Sequence, residues 1–192
     1  GGASVLFVAM PVVSDGGGTY DEGAYLRDMT LHGLRSILGD SVVDSPRMHH
    51  MYSDALPDHR QWSYGDWEDE GRMARAVQPA YGFFGMGLLG DDSGIDRSDI
   101  SSRIHAREFD VVVYGSVCHE MWGRRDLPEV IAYVPDELPY WQDVTSAYPP
   151  NRVALIDGDD DKEMPCSTEW KCLCTCLQRY GPYGVYFRRE IP

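Results

Sequence analysis

Ser4 to Val13, "SVLFVAMPVV", is apolar at nearly every position. It lacks the alternation of a half-exposed strand, so it predicts a central strand covered on both faces. Gly16-Gly17-Gly18 follows, and then Leu26, Met29, Leu34, Ile37 and Leu38 recur at helical spacing up to Gly39. Thr19 and Glu22 stand as in a capping box, and Gly39 suits the left-handed residue that closes a helix. Asp40 to Asp44 predicts a short second strand.

Residues 45–94 mix aromatics, glycines and charges without a firm period. They predict a long irregular connection with one short helix near Asp66 to Ala76, and connections this long tend to carry function. Order returns at Asp96. "DRSDISSRIHAREF" predicts a capped helix with Ile100, Ile104 and Phe109 inward, and Asp110 to Val117 a buried strand. Leu127 to Val134 predicts a helix, "RVALID" a strand, Thr168 to Gly181 a helix and "YGVYFRREI" a last strand. Such alternation predicts one α/β domain over 1–192, a doubly wound parallel five-stranded sheet with the 45–94 stretch as an insertion. Right-handed crossovers leave a flavodoxin-like strand order 2-1-3-4-5 as first choice and a Rossmann-type order as second.

Composition narrows the partners. The chain has 192 residues, 43% hydrophobic and 11% aromatic, which describes a globular protein. A net charge of -14 argues against nucleic acid and against anionic lipid. No apolar run is long enough to span a membrane. The five cysteines are odd in number, and four of them crowd between Cys166 and Cys176, so reduced thiols are expected. The chain opens at Gly1-Gly2 without methionine, which suggests a removed leader and a soluble protein of the cytoplasm or an organelle.

In open parallel sheets, ligands bind at the carboxyl ends of the strands. That rule gathers Asp15, the glycines 16–18, Arg47, His49, His50, Ser116, Cys118, His119, Glu120, Asp157, Asp159 and Arg188, Arg189. Asp157-Gly158-Asp159 closes an apolar strand as a D-x-D, a pattern of hard oxygen ligands for Mg2+ or Mn2+, or else simply an acidic turn. His119 and Glu120, directly after a buried strand, are candidate general bases, with Asp157 as the third catalytic candidate. His49, His50, Ser116, Arg188 and Arg189 are candidate substrate-binding residues. The glycines 16–18 lack phosphate-loop spacing and are ringed by Asp15, Asp21 and Glu22, so a turn is the simpler account. Cys172 and Cys176 share a helical face, as either core thiols or part of a metal site.

Tyr25 to Tyr52, Asp96 to Val117 and Val153 to Ile191 resemble N-terminal segments of a group of glycosyltransferase-like proteins. The resemblance implies a GT-B-like half that binds a nucleotide sugar or glycan, with a donor domain expected after Pro192. A GT-A-like enzyme would instead use Asp157 and Asp159 for metal and donor. The alternative is a non-catalytic relative serving as a subunit of a larger assembly, with residues 60–90 (Trp62, Tyr64, Trp67, Tyr81, Phe83, Phe84) as its protein-binding surface.

Overall fold

The structure, a computed structural model, describes residues 2–9, 12–13, 19–20, 25–48, 51–53, 87–117, 138–157 and 180–188. Its centre is a five-stranded sheet in the order β4-β1-β5-β6-β7, all neighbours parallel. The strands are β1 (Val5–Ala9), β4 (Val42–Ser45), β5 (Val111–Val117), β6 (Val153–Asp157) and β7 (Val185–Arg188). In chain order this is 2-1-3-4-5, the flavodoxin-like order expected from the sequence. A two-stranded antiparallel ribbon, β2 (Val12–Val13) with β3 (Thr19–Tyr20), stands apart from the sheet.

Side-chain alternation divides the core into two layers. Val5, Phe7, Ala9, Val42 and Val113 pack with Leu31 of α1 (Tyr25–Leu38) and with Met48, Met51, Tyr52 and Leu89. Leu6, Val8, Val43, Val112, Tyr114, Val153 and Leu155 pack on the other face with α2 (Ile100–His105) and α3 (Trp141–Ala147). Helices on both faces explain why β1 is apolar throughout and fully buried. Tyr180, just before the 3-10 turn that leads into β7, is buried among the α2 and α3 residues. The chain therefore approaches β7 on that face of the sheet.

Several expected elements differ in extent. The apolar run does not continue as one strand: β1 stops at Ala9, and Val12–Val13 pair with Thr19–Tyr20. Thr19 therefore does not cap α1, which starts at Tyr25. A β-branched residue three positions before a glutamate fits a strand edge as well as a cap, and here it pairs with Val13. Gly39 does end α1, at φ +60°, and a 3-10 turn then delays β4 to Val42. Of the helix expected from Asp96, only Ile100–His105 is α-helical; Asp96 instead accepts from Ser98 N–H and hydroxyl in a local turn. Phe109 is buried as expected.

α3 was not signalled by the sequence. Its residues, "WQDVTSA", include aromatic and β-branched positions of modest helix propensity, between Pro139 and Pro149. Packing makes it a helix: Val144 and Ala147 are buried, and Trp141 meets Tyr114, Tyr180 and Tyr183 edge-on at 5.5, 5.0 and 5.7 Å. The helices expected at 66–76 and 127–134, and that at 168–181 up to residue 179, lie outside the described residues.

Candidate functional site

The carboxyl ends of the five strands define one edge of the sheet. Three of the residues singled out from the sequence occupy it. Asp157 is the last residue of β6 and Arg188 the last of β7, and they are register partners. Asp157 also pairs with Val117, which follows Ser116 on β5. Neighbouring strands run about 5 Å apart, so the three positions form a short row across adjacent strands. His49, His50, His119, Glu120, Asp159 and Arg189 lie outside the described residues, as do Cys118, Asp15 and the glycines 16–18.

The row is shaped by an irregularity in β5. Tyr114 pairs with Leu155 and Val117 with Asp157, so three steps on β5 match two on β6. One extra residue is accommodated, a β-bulge. Val117 consequently joins the same core layer as Tyr114, which plain alternation would forbid. Gly115 lies within the bulge, and a β-carbon there would run into the ring of Phe7. A large aromatic on β1 thus fills the space that Gly115 leaves, at the boundary between β1 and β5 where the winding reverses. Bulges beside such a boundary re-aim strand ends next to binding sites.

Other groups reach the same side of the sheet. Only residues 39–41 separate the end of α1 from the start of β4, so α1 begins at the carboxyl side. Arg27 and Asp28 in its first turn are 1% and 3% exposed, with Nε and Oδ1 3.5 Å apart. A charged pair so deeply buried is uncommon and marks this helix start as chemically distinct. Across the other face, the Tyr140 and Ser45 hydroxyls lie 2.9 Å apart, and Tyr114 donates to the Pro139 carbonyl at 2.9 Å. Tyr140 holds φ at +59°, a left-handed conformation that costs about 1–2 kcal/mol for such a residue. Its hydroxyl contact ties the start of α3 to the end of β4.

The largest polar constellation lies at β4. Asp44 is wholly buried; it accepts from Met48 N–H at 2.9 Å, Tyr52 hydroxyl at 2.7 Å and Arg97 Nη2 at 2.5 Å. Arg97 also reaches Asp92 at 2.7 Å, and Asp92 takes two further bonds from Arg47, both 2.7 Å. Both guanidinium groups lie over the Tyr52 ring, at 4.9 and 5.2 Å. Hydrogen bonds from Arg47, with Arg97 alongside, hold the Asp92 carboxyl below its usual range. Burial, reinforced by the Asp44 carboxylate, pushes the Tyr52 hydroxyl well above the usual tyrosine range.

This cluster balances two acids against two arginines, so it is built to hold structure together. Arg47, expected among the carboxyl-end candidates, spends its guanidinium on Asp92. The cluster was hidden because its members are far apart in sequence; the one local hint is a carboxylate inside the apolar run "SVVDS", which demands a buried partner. Among the described residues no three His, Cys, Asp or Glu side chains come together as a metal site. Compared with family models, curated proteins and solved structures, the chain gives no match to any of them.

Proposed function

We propose that the protein is a glycosyltransferase-like domain that binds a nucleotide sugar or glycan at the carboxyl edge of its sheet. The observation that supports this reading best is the row of Ser116, Asp157 and Arg188 on three adjacent strand ends beside the β5 bulge. A carboxylate, an arginine and a hydroxyl-bearing residue are the groups that recognise sugar hydroxyls and diphosphate. Asp157 with Asp159 would hold Mg2+ or Mn2+ against the diphosphate. His119 or Glu120 would take the proton from an acceptor hydroxyl. His49, His50 and Arg189 would add contacts to the substrate.

Calorimetric titration of the chain with Mn2+ and a panel of nucleotide sugars tests the reading. Binding that is lost in Asp157→Ala and in Arg188→Ala is the expected result. An absence of heat for every donor, with and without metal, would sink it.

A second reading, a non-catalytic subunit of a larger assembly, is favoured by a separate observation. Val185 and Phe187 on β7 are 46% and 53% exposed, and Ala154 and Ile156 beside them are only partly covered. An apolar strip of this kind suits a protein contact. Donor binding with no turnover, together with a stable complex formed through this strip, would favour the second reading over the first.

A further inference from the structure

Ser45 ends β4 on the α2–α3 side of the sheet. It is the register partner of Val8, and Val8 of Tyr114; both of those belong to the core layer beneath α2 and α3. The chain passes over this row from Leu138 into α3, and two tyrosine hydroxyls fasten it there. Tyr114 donates to the Pro139 carbonyl, and the Tyr140 hydroxyl meets that of Ser45 at 2.9 Å. Ser45 is 5% exposed, and Tyr140 is half-buried. Tyr140 keeps its left-handed backbone, φ +59°. A bulky residue holds that conformation only where its surroundings fix it, and such residues gather at ligand sites. On the α1 side, the ring of Phe7 fills the space beside Gly115, so an apolar group stops the crevice between β1 and β5 there.

We infer that the Ser45–Tyr140 pair is a subsite for a neutral hydroxyl of the ligand, a sugar hydroxyl in particular; the choice of sugar rests on the glycosyltransferase-like reading. The proton count supports it. Each hydroxyl carries one proton, and the bond between them uses one of the two. The other O–H needs an acceptor, and no hydrogen bond among the described residues supplies it. Lone pairs remain on both oxygens, so the pair both gives and takes hydrogen bonds, as a sugar hydroxyl does. Charge points the same way. Arg47 and Arg97, the cations on this flank, are held by Asp92 and Asp44, so their charge is balanced. Arg188 ends β7, four strand spacings from β4, or about 19 Å. The ligand then lies along the edge with its sugar toward β4 and its diphosphate toward β6 and β7.

Amide chemical shifts of the full chain test this with three probes: free monosaccharides at millimolar concentration, uridine diphosphate alone, and the donor sugars built from both. The expected result is a saturable shift at Ser45 and Tyr140 with the monosaccharides. Tyr140→Phe and Ser45→Ala should each weaken that binding about five- to tenfold, and the rest of the amide spectrum reports that the variants keep the fold. Uridine diphosphate should shift the ends of β6 and β7 and leave Ser45 and Tyr140 in place. A monosaccharide or donor that binds without moving Ser45 and Tyr140, or that binds Tyr140→Phe as well as the parent, overturns the inference. So does a panel that moves no amide, because the hydroxyls then hold only water. Shifts at Ser45 and Tyr140 with none at Asp157 and Arg188 uphold the subsite and strike the row on β6 and β7 from the glycosyltransferase-like reading.

Discussion

The two outer strands of the sheet are finished in opposite ways. β4 is buried at all four positions, and charge closes it: Arg97 bonds the Asp44 carbonyl at 3.0 Å and Arg35 the Val42 carbonyl at 3.3 Å. Those carbonyls are two residues apart and so point the same way along the strand. β7 keeps Val185 and Phe187 about half exposed, with Tyr183 just before them at 49%. An unprotected strand at a sheet edge invites pairing with another chain, and proteins commonly blunt such edges with charge. Among the described residues, such protection is seen at the β4 edge. Cohesion is concentrated at β4, and the surface open to contact lies at β7.

The sharpest way to break this contrast is to remove the charge that closes β4. Arg97→Met leaves Asp44 buried without its guanidinium and Asp92 with one partner fewer. Loss of one member of a buried pair costs about 3–5 kcal/mol, because the remaining charge stays desolvated. Replacing Asp44 and Arg97 together by leucine and methionine should recover most of that loss, since no charge is then stranded. Urea unfolding of the single and double variants measures both.

The next largest effect belongs to the root of β7. A β-carbon at Gly184 would stand 2.8 Å from the Val153 carbonyl oxygen and 3.2 Å from Leu155 Cδ1. Backbone cannot retreat as a side chain can, so β7 must move away from β6. An edge strand has room to do so, and Gly184→Ala should cost about 1–2 kcal/mol. Hydrogen exchange should rise in Val185 to Arg188 and stay unchanged in β4. Faster exchange in β4 would mean that the two edges are not independent.

pH separates the edges by a smaller amount. Asp92 is held below its unfolded value, so its contribution is present above that value and fades as pH falls through the depressed one. Tyr52 is raised, so its contribution is full below the ordinary tyrosine pKa and is lost as pH climbs above about 10. Tyr52→Phe gives up one hydrogen bond to Asp44, about 1 kcal/mol. Its unfolding free energy should fall less steeply between pH 10 and 12 than that of the parent. Equal slopes would show that the hydroxyl is not confined as its 2.7 Å bond to Asp44 implies.

What the sequence revealed follows the same division. Strands wrapped on both faces declare themselves as unbroken apolar runs, so β1, β5 and β6 were legible, and right-handed crossovers left 2-1-3-4-5 as the first of two orders. The end of β6 was legible too, because Asp157 closes an apolar stretch, whereas the last strand was expected to run on to Ile191, beyond the described residues. The bulge at Gly115 was not drawn from the sequence, though a glycine inside an apolar strand was available as its sign. Its shape depends on Phe7, a residue of the neighbouring strand, and strand partners leave no trace in local periodicity. The closure at β4 was invisible for the same reason: Asp44 and Arg97 are 53 residues apart. α3 escaped because tertiary burial of Val144 and Trp141's aromatic neighbours, rather than propensity, holds it.

The smallest stability change is expected where the surface is open, and it carries the clearest readout of contact. Phe187→Ser removes a ring that is 53% exposed, so unfolding should shift by no more than about 0.5 kcal/mol. Ile156, its register partner on β6, is only partly covered, and the strip across the two strands would lose its largest apolar group. Binding of a hydrophobic dye and any concentration-dependent association, followed by sedimentation, should both decrease in this variant. A matching change at β4, Val42→Ser, should instead destabilise by several times as much and leave association untouched, because that side chain is fully buried. If Phe187→Ser proves as costly as Val42→Ser, the β7 ring is part of the core after all, and the division between a cohesive edge and an open one fails.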